Sequence, residues 1–204
     1  MEIKSLQVAP IGTNCYLVCD EAARLCAVVD PGGDADRIFR TAEQAGCVPA
    51  CILLTHGHFD HIGAVDALRD KYPGIPVYMS RRDAAPGKGA DTHLFPPLSG
   101  FTPYDDGDEI RVAGLTFHVL ATPGHTPGSV TLRCGNALFT GDTLFCGSCG
   151  RTDFPGGSME QMMDSLKKLA SLEGEYEVYP GHMEASDLDR ERRTNPYLLH
   201  ALKG

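Results

Sequence analysis

Cys51-Ile-Leu-Leu-Thr-His-Gly-His-Phe-Asp-His61 is a short apolar run that empties into a loop holding three histidines and an aspartate. Residues 51–54 have the length and aliphatic content of a buried strand, and helical spacing resumes over 62–72 until Pro73-Gly74 ends it. His56, His58 and Asp60 stand at alternate positions, so an extended loop turns all three toward one point while His61 opens the helix. Strand, polar loop and helix in immediate succession predict an α/β fold whose chemistry sits at strand ends.

The flanking sequence extends this pattern. Before it, β-rich runs at 3–8, 15–18 and 25–29 are separated by the turn residues Ile11-Gly-Thr-Asn14 and Asp20-Glu21, which reads as a meander. After Asp30-Pro-Gly-Gly33, the residues Ala35, Ile38, Phe39, Ala42 and Ala45 recur at helical spacing until Gly46. Downstream, 77–79 restarts strand structure, and 86–100 is aperiodic: a long loop expected to border the site and to be mobile, with His93 in it not a ligand. Strands at 109–112, 115–121, 130–133 and 137–139 make a second meander. Ser158-Met-Glu-Gln161 resembles a capping box before a helix whose apolar stripe is Met162, Met163, Leu166, Leu169 and Leu172. A strand at 177–179 and a basic helical tail from Leu188 close the chain. Two β-rich halves, each followed by helices, predict two sheets packed face to face with helices outside, a four-layer α/β sandwich forming one domain over 1–204. Neither a linker nor an internal repeat interrupts it.

Composition narrows the function. Among 204 residues, Lys+Arg 18 against Asp+Glu 27 gives a net charge of −9, a field that sets nucleic acid and membrane surfaces aside as partners. No stretch reaches the roughly 20 apolar residues of a bilayer span, and Met-Glu-Ile-Lys opens no export signal, so the expected location is cytoplasmic. The eight cysteines then read as free thiols. Cys15, Cys19, Cys26, Cys47, Cys51 and Cys134 lie in apolar runs as small buried hydrophobes, and the isolated Cys146-Gly-Ser-Cys149 reads as structural.

Three further loops carry ligand-type residues directly after strands: His125 in Thr122-Pro-Gly-His-Thr-Pro-Gly128, Asp142 in Thr140-Gly-Asp-Thr143, and His182 in Tyr179-Pro-Gly-His182. With His56, His58, Asp60 and His61, that is five histidines and two aspartates, too many for one four-coordinate ion. A shared carboxylate makes them fit two ions: His56, His58, His125 and Asp142 around one, Asp60, His61, His182 and Asp142 around the other. Imidazole with carboxylate suits zinc first, with iron or manganese as alternatives, and needs no cysteine.

With these residues in place, the chain resembles the metallo-β-lactamase superfamily over nearly its full length, through T-H-x-H-x-D-H at 55–61. The resemblance implies an αββα sandwich with metals at the rim between the sheets, and Asp30 behind the ligands as an acceptor orienting them. Within the superfamily, His58 stands where flavodiiron oxygen reductases carry glutamate, and His61 with Asp142 departs from the common zinc β-lactamases. RNA-processing branches need a basic surface this acidic chain lacks. Gly141-Asp-Thr-Leu-Phe145, Gly150-Arg-Thr-Asp-Phe-Pro-Gly-Gly157 and Arg192-Arg-Thr-Asn-Pro-Tyr197 resemble glyoxalase II (hydroxyacylglutathione hydrolase) and its short bacterial relatives, without the added C-terminal helical domain of the full enzyme.

That resemblance implies hydrolysis of a small acyl thioester, such as S-lactoylglutathione, by metal-activated water. Asp142 would bridge the ions, Asp60 would orient the nucleophile, and Arg151 would grip the substrate's thiol-bearing part, joined by Arg190, Arg192 and Arg193 if the tail folds over the rim. An alternative in the same superfamily is a persulfide dioxygenase with one ferrous ion on His56, His125 and Asp142; lactonases and phosphodiesterases are others.

Overall fold

The computed structural model describes residues 1–84 and 91–203 and holds two six-stranded sheets. Glu2–Val8 (β1), Thr13–Asp20 (β2), Leu25–Val29 (β3), Val48–Leu53 (β4), Val77–Met79 (β5) and Thr102–Pro103 (β6) lie side by side in that order. The pairs up to β3 are antiparallel and the rest parallel. The second half supplies Glu109–Val112 (β7), Leu115–Ala121 (β8), Val130–Cys134 (β9), Ala137–Gly141 (β10), Leu144–Phe145 (β11), Ser148–Cys149 (β12), Glu177–Pro180 (β13) and Ser186–Asp187 (β14). Their sheet runs β14-β13-β10-β9-β8-β7, with β10 and β13 parallel, while β11 and β12 form a small hairpin of their own. The helices are Ala35–Gln44 (α1), Phe59–Ile62 (α2), Val65–Lys71 (α3), Arg81–Ala84 (α4), Met159–Ala170 (α5), Leu188–Thr194 (α6) and Pro196–Ala201 (α7). None of them is long and apolar enough to cross a membrane.

Side-chain alternation decides the layers. In β2, β3 and β4, Leu17, Cys19, Cys26, Val28 and Ile52 face one way, against Ile38 and Ala42 of α1 and Val65 and Leu68 of α3. Tyr16, Val18, Ala27, Val29, Cys51 and Leu53 face the other way and meet Phe117, Val119, Leu132 and Phe139 of the second sheet. Leu138 of β10 and Val178 of β13 turn outward onto Met162, Leu166 and Leu169 of α5, with Leu188 and Leu198 of the tail. Strands covered on both faces carry apolar residues at nearly every position, which is why these runs read as continuous in the sequence. The outcome is the αββα sandwich. The six cysteines read as buried hydrophobes are all buried, and the methionine stripe of α5 packs in the outer core.

Several local expectations are corrected. The helix over 62–72 is two pieces: the Ala64 amide donates to the Pro31 carbonyl (2.8 Å), so the ladder breaks at Gly63-Ala64. The first piece begins at Phe59, so Asp60 lies in a helical turn and the extended path ends at His58. The tail is also split, because Asn195 caps α7 through the Tyr197 and Leu198 amides and Pro196 follows it. Residues 86–90 of the aperiodic segment lie outside the described residues. Within its described part, the Phe59 amide donates to the Leu94 carbonyl (3.0 Å) and Phe95 is buried against His58, so this stretch does border the histidine loop. His93 falls in none of the ligand groups described below.

In the layer between the sheets Phe139 is fully buried beside Tyr16, Phe117 and Tyr179. Phe139→Ala is expected to cost about 3–5 kcal/mol, read as a shift of the urea unfolding midpoint at unchanged slope.

Candidate metal centre

Four strand ends deliver the seven side chains to one place. β4 leads into His56, His58 and the α2 turn with Asp60 and His61; the β8–β9 loop carries His125; β10 and β13 lead into Asp142 and His182. His56 Nε2 and His125 Nε2 lie 3.0 and 2.9 Å from the same atom, His58 Nδ1. Asp60, His61 and His182 form a second convergence, with Asp60 Oδ2 3.4 Å from His61 Nε2 and 3.3 Å from His182 Nε2. Asp142 lies between the groups: Oδ1 is 3.4 Å from His61 Nε2, and Oδ2 is 3.4 Å from His125 Nε2 and 3.5 Å from His182 Nε2. His56, His61 and Asp142 also converge, so the seven form one continuous cluster.

The outward ring nitrogens are held by acceptors. Asp30 Oδ2 is 2.9 Å from His61 Nδ1, while the same carboxylate accepts the Thr55 amide (2.7 Å) and hydroxyl (2.6 Å). With its hydroxyl proton on Asp30, Thr55 Oγ1 is an acceptor toward His56 Nδ1 at 3.1 Å. The Arg151 carbonyl is 2.7 Å from His125 Nδ1. In each ring, a proton assigned to the outer nitrogen leaves the inner one as a lone pair. Asp30 thus lies behind the cluster, against His61.

Two further polar residues, neither singled out by the sequence, frame the cluster. Thr13 donates to Asp60 Oδ2 (2.6 Å) from the start of β2. Asp83, buried in α4, accepts the Gly57 amide (3.0 Å), the Thr126 hydroxyl (2.7 Å) and the Gly128 amide (2.7 Å), tying the His56-Gly57-His58 loop to the His125 loop. Gly-Thr-Asn at 12–14 gave a turn signal for the first, whereas Asp83 has no periodic or motif context that marks it.

The donor set fits divalent cations. Among the described residues, His58 Nε2, His61 Nε2 and Asp142 Oδ1 are buried side-chain atoms without a hydrogen-bond partner, and two of them point into the cluster from residues that converge with others. Burial pushes the His56 imidazolium well below its usual pKa and that of His58 down to about 3, so both rings are neutral donors. Burial opposes ionisation of Asp60 and Asp142, but the histidines facing them outweigh it and hold both carboxyls below the usual range. Neutral His56 and His58 and ionised carboxylates are what a zinc, iron or manganese ion requires. Burial opposes a charge on His61, but Asp30 and Asp142 outweigh it and hold its imidazolium well above its usual pKa, a proton that a bound cation would displace.

Above the cluster opens a cavity of about 410 Å³, reached by His58, Asp60, His125, Asp142 and His182. Arg151 lines it, but with its fork closed: Nε and Nη2 donate to the two oxygens of Asp153 at 2.7 and 2.6 Å, and the guanidinium lies 3.9 Å from the Phe154 ring centroid. None of Arg190, Arg192 and Arg193, expected to join it, lines the cavity. Arg192 donates to the Ala170, Leu172 and Gly174 carbonyls at the end of α5, and Arg193 pairs with Asp189. Cys149 and Ser148 of the β11–β12 hairpin also reach the cavity.

The Metallo-beta-lactamase superfamily model matches residues 8–182, and the chain belongs to that superfamily. It is 33% identical over 211 residues to "Hydroxyacylglutathione hydrolase GloC" of Haemophilus influenzae, covering 97% of this chain and 98% of the relative. Among solved structures, it superposes on BLEG-1, a B3 metallo-β-lactamase, with a TM-score of 0.84 at 34% identity, covering 97% of this chain and 99% of that one. It superposes on TTHA1623 in a di-iron-bound form with a TM-score of 0.83 at 37% identity, covering 95% and 99%.

Gly181 shows how tightly the cluster is built. A Cβ there would stand 2.3 Å from Asp142 Oδ1 and 2.7 Å from His61 Cε1. Gly181→Ala is therefore expected to lower metal content in elemental analysis while the far-ultraviolet circular dichroism keeps its native shape, since the added methyl clashes hardest with ligand side chains and presses on a strand only at the last residue of β10, Gly141, 3.1 Å away.

Proposed function

We propose that the protein is a dinuclear metal-dependent hydrolase of small acyl thioesters, built as one domain over 1–204. His56, His58, His125 and Asp142 hold one ion and Asp60, His61, His182 and Asp142 the other; zinc is the first choice, with iron and manganese as alternatives. The observation that carries this reading is that both groups meet at Asp142 on the floor of an open cavity, where a purely structural ion would be enclosed. The name of the Haemophilus relative supports a thioester substrate, and the di-iron form of TTHA1623 supports two ions.

Ions bound there supply Lewis acidity toward a carbonyl oxygen and bring a water's pKa toward neutrality. The chain's own residues do the placing. Asp60, kept ionised by His61 and His182 and steadied by the Thr13 hydroxyl, offers an acceptor that orients the attacking water. Asp30, through His61 Nδ1, fixes the ring that touches both carboxylates. A thiolate departs with little help from an acid, so the site needs no proton donor on the leaving side. Arg151 takes a narrower part than gripping an anion: paired with Asp153 and laid over Phe154, it stiffens one wall of the cavity.

Purified without chelator, the protein should carry about two transition-metal ions per chain and cleave thioesters in the absence of oxygen. Asp142→Ala should remove both ions and lower kcat/KM about a thousandfold or more, the worth of several kcal/mol of Lewis-acid stabilisation. One ion per chain, with His61→Ala and His182→Ala leaving metal content and activity unchanged, would reject the dinuclear reading. Oxygen uptake driven by a persulfide, or turnover of a β-lactam, with thioesters left intact would reject the reaction.

A further inference from the structure

We infer that the substrate is a thioester with an apolar acyl group, a narrower class than the thioesters proposed above and one that rests on that reading of the reaction. The cavity over the cluster is walled by Ile11, Phe59, Leu94, Phe145, Phe154 and Met183. The aromatic members stand close to the ligand rings: Phe154 is 5.7 Å from His58 and 6.3 Å from His125, and Phe145 is 6.1 Å from His182, centroid to centroid. A carbonyl lying over the cluster therefore has apolar surface on both sides.

The rim is built to keep apolar side chains in water. Ile11 is 59% exposed and Met183 47% exposed, and each comes from a separate segment, the β1–β2 turn and the loop after β13. Single exposed apolar residues are ordinary; two of them on the mouth of one cavity are not scattered. Both are fixed in place. Asn14, three residues beyond Ile11, donates from its amide to the Gly181 carbonyl (2.7 Å) and from its side chain to the Pro180 (3.0 Å) and Met183 (2.8 Å) carbonyls. Met183 holds φ 70, a left-handed conformation that favours glycine or asparagine, and the bond from Asn14 pins it there. A methionine kept at a strained position beside a ligand presents its side chain to the mouth at a conformational cost.

Charge points the same way. Arg151 is the cation among the described lining residues, and both oxygens of Asp153 close its fork. Ions held on the cluster attract anions in general, so the selection falls on the acyl chain alone: a carboxylate at the far end of a chain lying between these walls would give up hydration while Arg151 is engaged by Asp153.

The test uses the metal-loaded full chain and thioesters of one neutral thiol, N-acetylcysteamine, carrying acetyl, butanoyl, hexanoyl and succinyl groups. The expected result is that kcat/KM rises along the straight-chain series by roughly three- to fourfold per methylene, with the succinyl thioester at least about tenfold below butanoyl. Ile11→Ser and Met183→Asn, the latter suited to the left-handed backbone, should each flatten the rise. A flat or falling series, or a succinyl thioester equal to butanoyl, overturns the inference. Calorimetric binding of the matching S-alkyl thioethers, which cannot be hydrolysed, separates the two readings. Affinity that grows with chain length while no thioester turns over keeps the apolar site and rejects the hydrolase; turnover with no length dependence in either measurement does the reverse.

Discussion

Lone pairs turned toward lone pairs are the constraint on which the rest of the molecule rests. His56 Nε2 and His125 Nε2 both face His58 Nδ1 at about hydrogen-bond distance, and Asp142 faces three imidazole nitrogens, His125 Nε2 among them, yet the outer nitrogens of His56, His61 and His125 are occupied by their own acceptors. Rings fixed in that way repel one another at their inner edges unless a proton or a metal cation stands between them, and on His61, against the cost of burial, the carboxylates of Asp30 and Asp142 favour that proton. Each buried polar atom without a partner costs about 1–3 kcal/mol, and three such atoms together approach the net stability of a typical domain, about 5–15 kcal/mol. Favourable interactions elsewhere have to hold the cluster together, and the three apolar layers of the sandwich are where they lie.

The layers alone set the strand ends only to within a loop's freedom, and directed hydrogen bonds do the rest. Asp83 accepts one donor from the loop of His58 and two from the loop of His125, a set that offsets the cost of burying a carboxylate. Burial still raises its pKa, which marks how far the site is removed from water. On the opposite side, Asn14 and the Tyr16 hydroxyl (2.7 Å) both donate to the Pro180 carbonyl, locking the first sheet to the strand that delivers His182. The two sheets are therefore joined at the rim by polar contacts as well as through their core.

What was legible in the sequence, and what was not, follows from the range of the interactions involved. The strands of both meanders and the α5 stripe follow from periodicity, which is local, and the histidines stand out because each follows a strand beside Gly or Pro. The break at Gly63-Ala64 was hidden because its cause is a hydrogen bond to Pro31, more than thirty residues earlier in the chain. Asp83 was hidden for the same reason: its partners lie 26, 43 and 45 residues away, and nothing near it in sequence announces them. Arg151, expected from its motif to grip the substrate's thiol-bearing part, pairs with Asp153, only two residues on, a local contact that the motif does not announce.

The basic C-terminal motif illustrates how a segment remote from the cluster can still shape the site. Glu191 and Asn195 are fully buried; Glu191 accepts the Gly147 amide (2.8 Å) and the Asn195 side-chain amide (2.8 Å), while Asn195 donates to the Phe145 and Ser148 carbonyls. Three of these bonds, to Phe145, Gly147 and Ser148, hold the β11–β12 hairpin, the fourth joins Glu191 to Asn195, and Phe145, Ser148 and Cys149 from that hairpin face the cavity. Arg192 meanwhile satisfies carbonyls at the end of α5, which a helix terminus otherwise leaves open. The run Arg192-Arg-Thr-Asn-Pro-Tyr197 is thus a fastening for one wall of the site, and its charges are directed into the protein and along its own helix. A wall held from behind by a buried carboxylate and amide keeps its shape without substrate. A ligand entering the cavity then gains contact with Phe145 at little cost in ordering the chain.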